Sequence, residues 1–76
     1  MEEQKTISLT RIIEVKDKEI RLVQMIADGL TSKDMAEKTG INVRTLEAQI
    51  AVLKKKYYVR SPVGLIILFY RNKLIV

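Results

Sequence analysis

The chain has 76 residues, a formal net charge of +5 and a hydrophobic fraction of 47%, which is a composition that allows one small domain. Because it contains no cysteine and no histidine, the sequence excludes a disulfide framework, a thiolate metal site and the commonest general base. The longest apolar run, residues 63–70, is too short to span a bilayer, and the sequence does not start like a signal peptide. We expect a cytoplasmic, non-enzymatic protein with no cofactor, no metal and no membrane partner.

Charge is distributed unevenly along the chain. Residues 1–37 carry six Lys or Arg and eight Asp or Glu, whereas residues 38–76 carry eight Lys or Arg and one Glu. The first part therefore has a net charge of −2 and the second a net charge of +7. Such a basic half is typical of a surface that binds a phosphate backbone, although a merely solvated face gives the same pattern.

The first predicted elements are a lead-in at residues 1–16 and the start of a domain at residues 17–76. The apolar positions of the lead-in show no clean period, so a short helix and an extended arm both remain open. A first helix is expected over residues 17–28, with Asp17 as its cap and Gly29 as the left-handed residue after it. The predicted buried stripe of this helix is Ile20, Val23, Ala27 and Leu30.

Capping residues predict where the second and third helices begin. Thr31 can cap a helix over residues 32–39, and Asp34 three positions later forms a weak capping box. Asn42 can cap a third helix that continues to about Tyr57. The predicted buried stripe of the third helix is Leu46, Ile50, Leu53 and Tyr57, which recur at helical spacing.

The fourth helix is expected to start at Ser61 and Pro62, because serine is a good cap and proline suits the first helical turn. This helix is apolar around most of its circumference, and one small domain does not bury so many apolar side chains. Either the helix contacts a partner, or it is a core helix over which the apolar residues 74–76 fold back. The predicted interface residues are Leu65, Leu68 and Phe69.

A family pattern covers residues 15–73 without a gap. The residues that carry it are Glu19, residues 26–31, Lys33, Met35, Ala36, residues 40–42, Thr45, Leu46, Ile50, Lys55, Lys56, Val59 and Ser61. With these residues the chain resembles the LuxR-type (GerE-like) DNA-binding domain of bacterial transcription regulators. The sequence departs from the family's pattern at Val15-Lys16, and within the third helix at Glu47 and Gln49.

The resemblance implies an all-α domain of four helices in which the second and third form a helix-turn-helix and the third enters the major groove. It also implies a homodimer through the fourth helix, which reads two half-sites of double-stranded DNA. The family usually carries a separate sensing domain upstream. We therefore expect a sequence-specific transcription regulator, or the output domain of one.

The outer face of the third helix has charge at its ends and alanine between them. Small side chains allow close approach to a DNA groove, and an alanine methyl can contact a thymine methyl, although alanine also simply favours helices. The lysines at the end of this helix either bind phosphate or only match the helix dipole. The predicted DNA-binding residues are Thr31, Lys33, Arg44, Thr45, Glu47, Ala48, Gln49, Ala51, Lys54, Lys55 and Lys56.

Several of these residues have more than one possible partner. Arg44 can bind guanine through two hydrogen bonds or contact a phosphate, and Gln49 can pair with adenine or a phosphate. Glu47 can accept from cytosine, but we favour an ion pair that orients Arg44 three positions earlier. The amides beside Thr31 and Lys33 can receive a phosphate.

A second interpretation of the sequence keeps the same fold but assigns it a protein partner instead of DNA. Glu47 and the two alanines would then mean that DNA reading has been lost, and the fourth helix would dock a partner regulator. An enzyme is disfavoured, because Asp34 and Glu37 share a helix side but have no complementary catalytic group. Salt dependence of DNA binding separates the first two readings.

Overall fold

The computed structural model describes residues 14–76 of the chain. Within this range the chain forms four α-helices and no strand: α1 Asp17–Ala27, α2 Ser32–Thr39, α3 Val43–Lys56 and α4 Pro62–Arg71. The predicted all-α fold is confirmed for this part of the chain. None of these four helices is long and apolar enough to cross a membrane. Most of the predicted lead-in, residues 1–13, lies outside the described residues.

The predicted caps of α2 and α3 are present. The Thr31 hydroxyl accepts a hydrogen bond from the Asp34 amide at 3.1 Å, and the Asp34 carboxylate accepts one from the Thr31 amide at 3.0 Å. The two residues therefore form a complete capping box. The Asn42 side chain accepts from the Thr45 amide at 2.8 Å and caps α3 in the same way. Local sequence thus determines where both helices begin.

At the start of α4 the chain turns tightly. The Ser61 hydroxyl accepts from the Gly64 amide at 3.2 Å, and Pro62 occupies the first helical turn as predicted. A Cβ atom at Gly64 would lie only 2.9 Å from the Cβ of Val59. The missing side chain of Gly64 therefore lets the loop after α3 pack directly against α4.

The predicted cap and buried stripe of α1 are partly wrong. Asp17 is the first helical residue, and the cap is Lys16, whose amide donates to the Glu19 carboxylate at 3.2 Å. Of the four residues predicted to be buried, Val23 is buried, and Ile20, Ala27 and Leu30 are half-buried and pack against the core. Leu22 and Glu19 are also buried and were not predicted. The stripe that faces the core therefore includes a charged residue, which hydrophobic periodicity does not select.

The core lies between α1, α3 and α4, with Met35 added from α2. The predicted stripe of α3 is confirmed, since Leu46, Leu53 and Tyr57 are buried and Ile50 is half-buried. The rings of Tyr57 and Phe69 meet edge to face, with centroids 5.2 Å apart and an interplanar angle of 84°. Such pairs add to the stabilisation from burial alone.

The residues after α4 fold back over the core. Ile75 is buried, and the Gln24 side chain exchanges two hydrogen bonds of 2.9 Å with the backbone N–H and C=O of Val76. These two hydrogen bonds hold the C-terminal residues against α1. Folding back of residues 74–76, one of the two alternatives for the excess apolar surface, is therefore observed for Ile75.

Two of the three predicted interface residues on α4 are core residues. Leu65 and Phe69 are both 0% exposed, and half-buried Leu68 packs against the core. Assigning Leu65 and Phe69 to a dimer interface was therefore wrong. A helix that is apolar all round gives no periodic signal for the side that faces its own domain. The large apolar side chains of α4 that do face outward are Val63, Ile67 and Tyr70, at spacings of four and three.

Candidate nucleic-acid interface

The outer face of α3 is open along the length of the helix. Arg44, Ala48, Ala51 and Lys55 are all exposed, while the opposite stripe is buried in the core. No bulky side chain of this row stands between the charged residues, so the backbone of α3 can approach a flat or grooved surface closely. The predicted reading face is thus free of contacts with the core of the domain.

The flanks of this face differ in exposure. Thr45 and Gln49 on one side and Glu47 on the other are exposed, whereas Lys54 is half-buried. Gln49 also lines a groove that separates α3 from α1. Its amide therefore lies at the edge of the outer face and not within the row of residues that begins with Arg44.

Lys56 has a partner inside the fold. Its Nζ lies 2.7 Å from Oε2 of Glu19, and the neighbouring Tyr57 hydroxyl donates to Oε1 of the same carboxylate at 2.5 Å. Glu19 thus joins α1 to the C-terminal end of α3. Because the charge of Lys56 is already matched, this lysine is a weaker candidate for a phosphate contact than exposed Lys55.

The protonation of this cluster follows from its contacts. Burial alone would raise the pKa of the Glu19 carboxyl, but hydrogen bonds from Lys56, Tyr57 and the Lys16 amide outweigh it and lower that pKa below its ordinary value. Burial and the bond to Glu19 raise the pKa of the Tyr57 phenol. Glu19 is therefore held as a carboxylate and Tyr57 as a neutral donor.

This arrangement predicts acid-sensitive stability. Since the pKa of Glu19 is lower in the folded chain, its contribution is complete above about pH 4.5 and is lost as pH falls through the folded value. Glu19→Gln should lower the unfolding free energy at pH 7 by about 1–3 kcal/mol and flatten its fall in acid. Urea unfolding at a series of pH values measures both effects. The control is Glu37→Gln, which alters an exposed carboxylate. An acid dependence equally steep in Glu19→Gln and the unmodified chain would contradict the assignment.

The predicted ion pair between Arg44 and Glu47 is absent. Among residues 14–76 the ion pair that forms is that of Lys56 with Glu19, and both Arg44 and Glu47 are exposed to solvent. An exposed pair three positions apart is worth only a few tenths of a kcal/mol, which is too little to hold two long side chains together. Arg44 therefore points into solvent without a fixed partner on its own helix.

The N-terminus of α2 is partly occupied by its own carboxylate. Within the capping box the Thr31 amide donates a hydrogen bond to Asp34, and the Thr31 hydroxyl accepts one from the Asp34 amide. Hydrogen bonds from the Thr31 backbone and side chain lower the pKa of the Asp34 carboxyl. A phosphate would compete with this carboxylate for the amides there. The exposed Lys33 side chain is the better candidate for a phosphate contact at this end of α2.

Two exposed valines on α3 were not predicted. Val52 is 62% exposed and Val43, in the first turn, is also exposed. A helical wheel would have placed Val52 between Ala48 and Lys56 on the outer side, so the signal was present in the spacing. A valine there can contact a thymine methyl group, as the alanines can.

Comparison of the chain with protein-family models, with curated proteins and with solved structures returned no match. The function is therefore inferred from the side chains themselves. Exposed cations at or near α2 and α3 are Lys33, Lys38, Arg44, Lys55 and Arg60.

Proposed function

We propose that this protein binds double-stranded DNA sequence-specifically in the cytoplasm, as a transcription regulator or the output domain of one. The four helices would then be a LuxR-type helix-turn-helix domain, with α2 bracing α3 and α3 lying in the major groove. The observation that carries the proposal is the open outer face of α3, with Arg44 and Lys55 at its ends and Ala48 and Ala51 between them.

Electrostatics support this choice of partner. Residues 38–76 have a net charge of +7, and only one of their cations, Lys56, is ion-paired within the described residues. The remaining cations would release counterions from the phosphate backbone on binding. Lys33 and Lys55 would contact phosphates, while Arg44 in the first turn of α3 would reach base edges.

The experiment is selection of bound sequences from a random duplex pool, followed by affinity measurements over a range of salt. Binding to the selected site is expected to weaken by roughly 10³-fold between about 50 and 200 mM salt, if a dimer neutralises about six phosphates. A scrambled duplex of equal length is the control and should bind more weakly at every salt concentration. Absence of binding at low salt, or equal binding to both duplexes, would contradict the proposal.

Association into a two-fold dimer is part of the proposal, but the interface is now the exposed side of α4 and not the side that is buried in the core. Val63, Ile67 and Tyr70 form an exposed apolar stripe along α4, and a stripe of this kind is costly to leave in water. A second copy of the chain could cover it by presenting the same stripe. Sedimentation of Ile67→Glu checks this assignment, because a monomer is expected if the stripe is the interface.

The second candidate is a protein-interaction module that does not read DNA. The exposed Glu47 carboxylate favours it, because this charge has no ion-pair partner among residues 14–76 and would repel phosphates. The α4 stripe would then dock a partner regulator. In that case the basic half is a solvated face, and affinity for DNA stays weak even at low salt.

A further inference from the structure

Three helices end in the same hydrogen-bonding motif, but with different residues at its left-handed position. In each, the residue after the C-cap has positive φ: Gly29 after α1 at 91°, Tyr58 after α3 at 58° and Lys73 after α4 at 60°. At the end of α3 the Tyr58 amide donates to the Lys55 carbonyl at 3.3 Å and the Val59 amide to the Lys54 carbonyl at 3.0 Å. These two bonds define a Schellman motif.

A tyrosine is an unfavourable residue at this position. Glycine occupies the left-handed region without steric cost, whereas the Cβ of any other L-residue is too close to the backbone there. Gly29 shows that the chain uses the favoured residue at the equivalent place after α1. The backbone conformation at Tyr58 therefore does not explain why a tyrosine is there.

Packing does not explain the tyrosine either. Its side chain is 89% exposed, the largest exposure of any aromatic residue among those described. Its hydroxyl makes no hydrogen bond to any residue in the range 14–76. The other tyrosine beside it, Tyr57, is buried and bonded to Glu19. The contrast separates a structural tyrosine from one that faces outward.

The surroundings of Tyr58 are cationic. Lys54 and Lys55 precede it, Arg60 follows it, and both Lys55 and Arg60 are exposed. The Glu19 carboxylate contacts the end of α3 just before Tyr58, but it is already engaged by Lys56 and Tyr57. A surface that combines exposed cations with a free phenol hydroxyl is suited to the oxygens of a phosphodiester backbone, which Lys, Arg and Tyr contact in protein–DNA complexes.

We propose that the Tyr58 hydroxyl donates a hydrogen bond to a DNA phosphate beside the groove that α3 enters. The inference rests on the proposed DNA-binding function and adds a residue that neither the sequence pattern nor charge selects. A phenol hydroxyl is uncharged at neutral pH, so it positions the backbone without neutralising it. Tyr58 would thereby fix how α3 sits along the groove at its C-terminal end.

The test compares Tyr58→Phe, which removes only the hydroxyl, with Tyr58→Gly, which also relieves the backbone. Tyr58→Phe should weaken binding to the selected and scrambled duplexes alike by roughly tenfold for each protomer bound, the loss of one hydrogen bond to a charged group per protomer. The slope of affinity against salt should stay unchanged, because no counterion is involved. Lys55→Ala should instead flatten that slope by about one unit for each protomer bound.

Tyr58→Gly should lose the same affinity while raising Tm by roughly 2–6 °C. The matched control is Lys73→Gly, which makes the same backbone change after α4 and should raise Tm with at most a small change in affinity. A stabilised variant that binds less well distinguishes a lost contact from a damaged fold. Sedimentation of Tyr58→Phe should give the same association state as the unmodified chain.

The outcomes separate the two proposals. If the unmodified chain binds no DNA, the proposed function fails and this inference fails with it. If the chain binds DNA and Tyr58→Phe binds equally well, only the inference is wrong. A loss of self-association in Tyr58→Phe would also overturn it, because the hydroxyl would then belong to an interface between copies of the chain.

Discussion

Phe69→Ala is expected to remove about 3–5 kcal/mol of unfolding free energy. The ring is fully buried and meets Tyr57 edge to face at 5.2 Å. A chain of 76 residues has a total stability of roughly 4–11 kcal/mol, at about 0.05–0.15 kcal/mol per residue. The substitution therefore removes about a quarter of this stability or more. Urea unfolding followed by circular dichroism measures the loss.

Ile67→Glu is the matched comparison on the same helix. Ile67 lies two positions before Phe69 and is exposed, so a charge there should change the unfolding free energy of the monomer by less than about 0.5 kcal/mol. It should nevertheless abolish self-association if the α4 stripe is the dimer interface. If Phe69→Ala left the fold intact and produced a monomer, Phe69 would be an interface residue after all. If Ile67→Glu remained a dimer, the interface would lie elsewhere.

Features that depend on near neighbours in sequence could be predicted. The starts of α2, α3 and α4 follow from Thr31, Asn42 and Ser61, each of which caps an amide three positions later. The buried and open faces of α3 follow from the spacing of apolar residues along one helix. Both kinds of signal are complete within a few turns of chain, so a single sequence contains them.

Features that depend on residues distant in sequence could not be predicted. The burial of Glu19 is explained by Lys56 and Tyr57, which lie 37 and 38 residues away in sequence. The side of α4 that faces the core depends on packing against α1 and α3, since apolar residues surround the helix. The exposure of Tyr58 depends on where the end of α3 lies relative to the rest of the fold.

The Glu19 cluster connects the fold to the candidate interface. Its carboxylate holds both Lys56 and Tyr57, the last residue of α3 and its C-cap, against α1. The capping interaction of Asn42 sets where the same helix begins. Buried Leu46 and Leu53 also pack α3 against the core, so the helix presents its outer face in one orientation, which would lower the ordering cost of binding a groove. The arrangement thus places stabilising contacts behind the outer face of α3 and leaves that face free.

Arg44→Ala is expected to cost about 1–3 kcal/mol in binding to the selected DNA site, or roughly 5- to 150-fold in affinity. Arg44 lies in the first turn of α3, is exposed and has no ion-pair partner among residues 14–76. Its guanidinium is therefore free to form two hydrogen bonds with guanine. Because these bonds recognise one base, the loss should be confined to sites that carry the preferred base pair at one position.

The measurement is affinity for every single-base variant of the selected site, with three variants of the protein. Arg44→Ala should flatten the preference at one base pair of each half-site and leave the others unchanged. Lys55→Ala, at the far end of the same exposed row, should weaken binding to all sites alike and reduce the salt slope by about one unit for each protomer bound. Glu47→Ala should tighten binding to every site slightly, because the exposed carboxylate repels phosphates and holds no arginine in place. A uniform loss in Arg44→Ala would make Arg44 a phosphate contact, and base recognition would then have to come from the small side chains in the middle of α3.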